Sequence, residues 1–135
     1  MINNNREFYI AVDGDSIGKI LEKHILSGNM NNLKYFSEAL QKDVNTIGKE
    51  IEKFDGILYM KGGDNILGTI CKSSIPHVIK FVKELNLNRD YHFSIGIAKN
   101  PAETYIALKY AKLNRKDVIF YNTAEGFTES FLINN

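Results

Sequence analysis

Three aspartates and a pair of glycines carry the strongest chemical signal in this sequence. Asp13 and Asp15 flank Gly14 in "VDGDS", and Asp64 follows Gly62 and Gly63 in "YMKGGDNIL". Mg²⁺ is a hard cation that takes oxygen ligands and is commonly held by one or two carboxylates together with substrate phosphates. Carboxylates beside glycines, whose backbone a phosphate can approach, meet that requirement. Taken singly, Asp-Gly and Gly-Gly-Asp are ordinary turn sequences, so the chemistry depends on whether the fold brings them together. A second cluster is cationic: Lys109, Lys112, Arg115 and Lys116 in "TYIALKYAKLNRK". Cations at a helix C-terminus suit the helix dipole, and one or two of these would also bind a triphosphate, Lys112 foremost. The histidines read as bland. His24 lies on the apolar side of its helix, and His77 and His92 have no metal-ligand spacing to each other or to Cys71.

The elements that must position these groups follow from periodicity. "EFYIAV" (Glu7 to Val12) reads as a strand ending at "DGD". From Ser16 the spacing of Ile17, Ile20, Leu21 and Ile25 is helical until "SGN" breaks it, and Leu33, Phe36, Leu40, Val44, Ile47, Ile51 and Phe54 mark a longer helix. "GILYM" and "DNILGTIC" form a hairpin whose two-residue Gly62-Gly63 loop calls for positive φ. A helix with Ile75, Val78, Ile79, Val82 and Leu85 on one face comes next, then a strand from Tyr91 to Ala98. Asn100, Pro101 and Glu103 start a helix well; it runs to about Asn114 with Ile106, Tyr110 and Leu113 as its buried stripe, and "DVIFYN" is a last strand. The order β-αα-β-β-α-β-α-β predicts an α+β, ferredoxin-like domain, a mainly antiparallel sheet with helices on one face. In that topology the third strand fills the gap beside the first and runs antiparallel to it. Asp13 and Asp15 then lie at the same sheet edge as Asp64, with neighbouring strands about 4.8 Å apart.

Bulk properties bound the function. The chain has 135 residues, 44% apolar, which suits one domain over residues 1–135, with 1–5 and 129–135 expected to be loosely ordered. Seventeen basic and 16 acidic residues nearly cancel, so net charge supports no broad nucleic-acid or membrane surface. Cys71 is the only cysteine, which excludes a disulfide framework or thiolate zinc site within one chain and suggests a small core residue. No apolar run approaches the roughly 18 residues that span a bilayer, and "MINNNREFYIAV" is no signal peptide. The expected location is cytoplasmic.

The pieces "FYIAVDGDSIG", "YMKGGDNIL", "FSIGIA" and "ALKYAK" resemble, in order and over nearly the whole chain, the signatures of the GGDEF and CRISPR polymerase palm superfamily. "DGDSIG" with "GGDN" is closer to the CRISPR polymerase type, and the length is similar to that of the minimal CRISPR polymerases. The resemblance implies a nucleotidyltransferase making a cyclic di- or oligonucleotide signal from nucleoside triphosphates, with Mg²⁺ or Mn²⁺, in anti-phage defence. It implies Asp13 and Asp64 as metal ligands with the Gly14 carbonyl as a third, Asp15 as an auxiliary acid, Gly62 and Gly63 as the phosphate approach, and Lys112 on the triphosphate. Asn65, Lys109 and Arg115 complete the nucleotide-binding set. Ser94 and Gly96 belong to the matching strand signature and read as packing residues. Three departures stand out. Asn65 replaces an acid of the diguanylate cyclases, Leu21 replaces their guanine-reading Asn, and "KFDG" replaces their Arg-x-x-Asp inhibitory site. Leu21 cannot hydrogen-bond a base, so ATP is favoured. The rival readings are a class III-like mononucleotide cyclase, an enzyme resembling GTP cyclohydrolase III, and a catalytically inactive nucleotide-sensing palm. The expected partners are a second copy in a homodimer or larger homo-oligomer, and an effector that binds the cyclic product.

Overall fold

A computed structural model describes residues 7–129. The expectations for residues 1–5 and 130–135 lie outside the described residues. The chain runs β1 (Glu7–Asp15), α1 (Ile17–Leu26), α2 (Met30–Lys53), β2 (Leu58–Lys61), β3 (Asn65–Cys71), α3 (Ile75–Leu87), β4 (His92–Ala98), α4 (Pro101–Leu113), β5 (Val118–Asn122) and β6 (Gly126–Thr128). The strands form one sheet in the order β2-β3-β1-β4-β5-β6. Every neighbouring pair is antiparallel except β4 and β5. The α+β, ferredoxin-like expectation holds, with β3 inserted beside β1 as that topology requires.

Strand β1 is the hinge between core and site. Side chains alternate across a strand, and Ile10 and Val12 join the main core with Phe93, Ile95 and Ile97 of β4 and Ile66 and Ile70 of β3. Leu40, Val44, Ile47 and Ile51 of α2 and Ile75, Val78 and Val82 of α3 close that core. Each such side chain contributes about 2 kcal/mol by leaving water.

The alternate residues of β1 face the other way, and so does α4. Gly96 pairs with Ala11, and a Cβ on Gly96 would lie 2.3 Å from the Leu108 nitrogen and 2.6 Å from the Thr104 oxygen. The backbones of β4 and α4 thus touch where only glycine fits. The helices are divided between the two faces instead of gathered on one. The buried stripe of α4 differs as well. It is Thr104, Ala107, Leu108 and Ala111, whereas Ile106, Tyr110 and Leu113 are exposed. Three of these four are small, as the close approach of the helix backbone to the sheet at Gly96 favours.

Two turn expectations also change. "DGD" does not end the first strand, because β1 continues through Asp15. The hairpin closes through a Gly62 N–H to Asn65 O bond of 2.9 Å. Gly63 and Asp64 therefore form its centre, and neither Gly62 nor Gly63 takes a left-handed φ. Cys71 is half-buried at the end of β3. The short strand β6 had no sequence signal of its own.

Candidate active site

Continuing β1 through "DGD" has a direct chemical result. Residues i and i+2 share a face, so Asp13 and Asp15 both project toward α4. Asp13 stands opposite Asn65 on β3 and opposite Ser94 on β4. The Gly14 N–H donates to the Asp64 carbonyl at 2.9 Å, which carries the β1–β3 contact into the hairpin turn. A Cβ at Gly14 would meet Ile17 Cγ1 at 2.8 Å, so a larger residue here would have to displace the Ile17 side chain.

The charges around this point compensate one another. Lys112 Nζ donates to Asp13 Oδ2 at 2.8 Å and lies 3.8 Å from Asp15 Oδ1. Burial alone would lower the pKa of Lys112, but its hydrogen bond to Asp13 and the charges of Asp13, Asp15 and Asp64 outweigh burial and raise it. Burial raises the carboxyl pKa of Asp64, and the charge of Asp13 and a hydrogen bond with it push the same way. A carboxylate whose ionisation is opposed by burial and by a second carboxylate marks a place where a cation is electrostatically favoured. For Asp15, burial acts upward, yet hydrogen bonds from His92 and Ser94 and the charges of His92 and Lys112 hold its carboxyl below the usual range.

The structure thus brings together Asp13, Asp64, Asp15, Gly14, Asn65 and Lys112. Gly63 has open space above its Cα, whereas a Cβ on Gly62 would meet the Asn65 side chain at 2.6 Å. Arg115 joins Asp15, Ser16, His92 and Lys112 around a polar cleft of about 490 Å³, a volume within the range of small-molecule sites. Ser16 and Arg115 each hold a left-handed φ, +62° and +54°. Such a conformation is sparsely populated for non-glycine residues and concentrates at functional sites. Lys109 is elsewhere, its ammonium 5.2 Å from the exposed Tyr105 ring, and it does not line the cleft. Lys116 pairs with Glu129 at 3.2 Å.

His92 is the residue that sequence reasoning missed. Its Nδ1 is 3.0 Å from Asp15 Oδ2, and its Nε2 forms a short contact with Asp117 Oδ1. The hydrogen bond to Asp15 leads the causes that raise its pKa, burial opposes them, and Asp117 adds to the rise. Ser94, fully buried, donates to Asp15 Oδ2 at 2.6 Å, so it orients an acid as well as filling space. The β1–β4 register that pairs Asp15 with His92 was the missing signal. The other histidines remain structural: His24 lies 6.2 Å from Phe36, and His77 stacks on Phe54 at 5.1 Å.

Among the described residues no group of three His, Cys, Asp or Glu side chains is arranged to hold a metal. Asp13 and Asp64 are two carboxylates near enough for Asp13 to add to burial in raising the Asp64 pKa, and Mg²⁺ commonly takes one or two carboxylates together with substrate oxygens. The donor set therefore fits such an ion.

A model of the minimal CRISPR polymerase domain matches residues 9–121. The chain belongs to this family. No curated protein matches it in sequence. Among solved structures it is similar to a diguanylate cyclase/phosphodiesterase from Caldicellulosiruptor saccharolyticus, with 18% identity and a TM-score of 0.60 over 90% of this chain and 79% of that one. The GGDEF domain of DgcB from Caulobacter crescentus, solved with c-di-GMP, gives 14% identity and a TM-score of 0.55 over 84% and 77%. A bacterial light-regulated adenylyl cyclase gives 12% and 0.61, over 85% of this chain and 42% of that one. At these identities the likeness is one of fold. Family and fold together set the minimal CRISPR polymerase chain among the palms of nucleotide cyclases and polymerases. None of its described helices is long and apolar enough to cross a membrane.

Proposed function

We propose that the chain joins nucleoside triphosphates into a cyclic di- or oligonucleotide, with release of pyrophosphate. The observation that carries this reading is the approach of Asp13 to Asp64 beside Lys112, on a turn open to phosphate at Gly63. In each step a ribose hydroxyl oxygen bonds to an α-phosphorus, the bond from that phosphorus to the bridging oxygen breaks, and the hydroxyl proton leaves. Asp13 and Asp64, with the Gly14 carbonyl, would hold Mg²⁺ or Mn²⁺. When bound, the ion polarises the phosphate and offsets charge on the leaving oxygen. Lys112 supplies fixed positive charge for the triphosphate, and Arg115 extends that charge along the cleft. Asp15 accepts hydrogen bonds at the cleft wall, and the protein contributes mainly position and electrostatics.

Leu21, half-buried against the core, offers a base no hydrogen bond, which supports ATP over GTP. The family supports a signalling role in anti-phage defence, with a separate effector that binds the cyclic product. The described residues form one such site, so linking two nucleotides favours a second copy that brings its own. The likeness to an adenylyl cyclase supports one alternative, a mononucleotide cyclase. Mass spectrometry of the products from ATP, GTP, CTP and UTP, each alone and all mixed, tests the reading. A cyclic dinucleotide or larger ring containing adenosine is expected. Only cyclic mononucleotide would favour the alternative, and no pyrophosphate release with any triphosphate would end both.

A further inference from the structure

Asp15 is held in an unusual way. Its two hydrogen-bonding side-chain partners, Ser94 Oγ at 2.6 Å and His92 Nδ1 at 3.0 Å, contact the same oxygen, Oδ2. The other oxygen, Oδ1, is buried and has no hydrogen-bond partner. Its nearest cation, Lys112 Nζ, is 3.8 Å away and bonded to Asp13 instead. A buried acceptor left without a donor carries a desolvation penalty and calls for an explanation. Rotating the carboxylate would share the two donors between the two oxygens, so something must favour the unequal arrangement. His92 cannot follow such a rotation, because Asp117 grips its far nitrogen. The ring is clamped at both ends, at the wall of the cleft that Asp15, Ser16, Lys112 and Arg115 complete.

We propose that His92 is a positioning residue for the transfer reaction: clamped by Asp117, it turns Asp15 so that Oδ1, uncovered when Lys112 swings to the triphosphate, accepts a hydrogen bond from a ribose hydroxyl of the nucleotide in the cleft. Ser94 assists from the buried side. This deepens the nucleotidyl-transfer reading and rests on it. The ligand group is a hydroxyl because the acceptor is a carboxylate oxygen with no hydrogen-bond donor of its own, and its nearest cation, Lys112, is bonded to Asp13. Asp117 never touches the substrate and acts only through the imidazole.

The test compares binding and turnover. Calorimetry measures Kd for the tightest-binding ribonucleoside triphosphate and for its 2′-deoxy and 3′-deoxy analogues. The wild-type protein is expected to bind one deoxy analogue about tenfold more weakly, the loss of one hydrogen bond to a charged acceptor. Asp15→Asn and His92→Ala should both remove that discrimination. In turnover, His92→Ala should raise KM by no more than the roughly tenfold loss of binding and lower kcat about 10-fold besides, as loss of an orienting group does. It should cost nothing further in the Asp15→Asn background. Asp117→Asn should give a smaller loss that vanishes when His92 is already alanine; this variant keeps the test alive if His92→Ala folds poorly. Equal binding of all three nucleotides by the wild type, or independent losses in the double variants, would overturn the proposal. Absence of product from the wild type would instead sink the nucleotidyl-transfer reading, since the binding comparison needs no turnover.

Discussion

At the scale of single residues, the site is a balance of charges around β1. Asp13→Ala and Asp64→Ala are each expected to abolish product formation while the circular dichroism spectrum and thermal midpoint stay near wild type. Neither carboxylate supports the core, and removing either relieves the repulsion that adds to burial in raising the pKa of Asp64. Lys112→Ala should lower kcat/KM by at least tenfold, measured with the same substrate. A second expectation concerns pH. The folded-state pKa of His92 lies above its unfolded value near 6.5. Its contribution to stability is therefore complete below about pH 6.5 and is lost as pH rises through the folded pKa. Chemical denaturation of wild type and His92→Asn should show a stability gap that is wider at pH 6 than at pH 9. A constant gap would mean that the imidazole is not charged between its two carboxylates. The acids and Lys112 were legible in the sequence because their residue types announce their chemistry. His92 was not, because its meaning depends on a strand register that local patterns do not encode.

At the scale of elements, glycine substitutions separate packing from function. Gly96→Ala would drive a methyl group into the Leu108 and Thr104 backbones. A loss of about 3 kcal/mol is expected in urea titration, at the upper end for overpacking. It should also impair activity, since α4 carries Lys112. Gly63→Ala meets nothing within 4 Å and needs no left-handed φ, so stability should change by less than about 0.5 kcal/mol. Activity should nevertheless fall if triphosphate approaches the turn there. Another element-level device is the buried Asp43 on α2, which takes two bonds from Arg89, at 2.7 and 2.9 Å, and one from the Tyr91 hydroxyl. It fixes the approach to β4 and hence to His92. Asp43→Ala should destabilise by about 3 kcal/mol, because it leaves a cation and a buried hydroxyl without their acceptor. The helices and strands other than β6 were readable from period and caps, the Asn100 cap to Glu103 N included. The face of α4 was misread because periodicity searches favour large apolar residues. Here close approach at Gly96 favours alanine and threonine beside a single large residue, Leu108.

At the scale of the whole molecule, topology was the most legible feature, since the split β-α-β-β-α-β order fixes which strands neighbour β1. The division of helices between faces was not legible, because pattern alone does not say which side a crossover takes. A proposed homodimer belongs to this scale. Light scattering beside specific activity over a protein dilution series should show both falling together; a monomer whose specific activity stays flat on dilution would rule out a two-copy reaction. The alternation of β1 has a wider consequence. Ile10 and Val12 anchor the core, while Ala11, Asp13 and Asp15 serve the opposite face. Deleting one residue between Phe8 and Val12 would exchange those roles at a stroke, aiming acids at oil and isoleucine at the cleft. In descent, the strand can therefore change its letters far more freely than its count, and gaps in related sequences should fall outside it, in connections such as Ser27–Asn29.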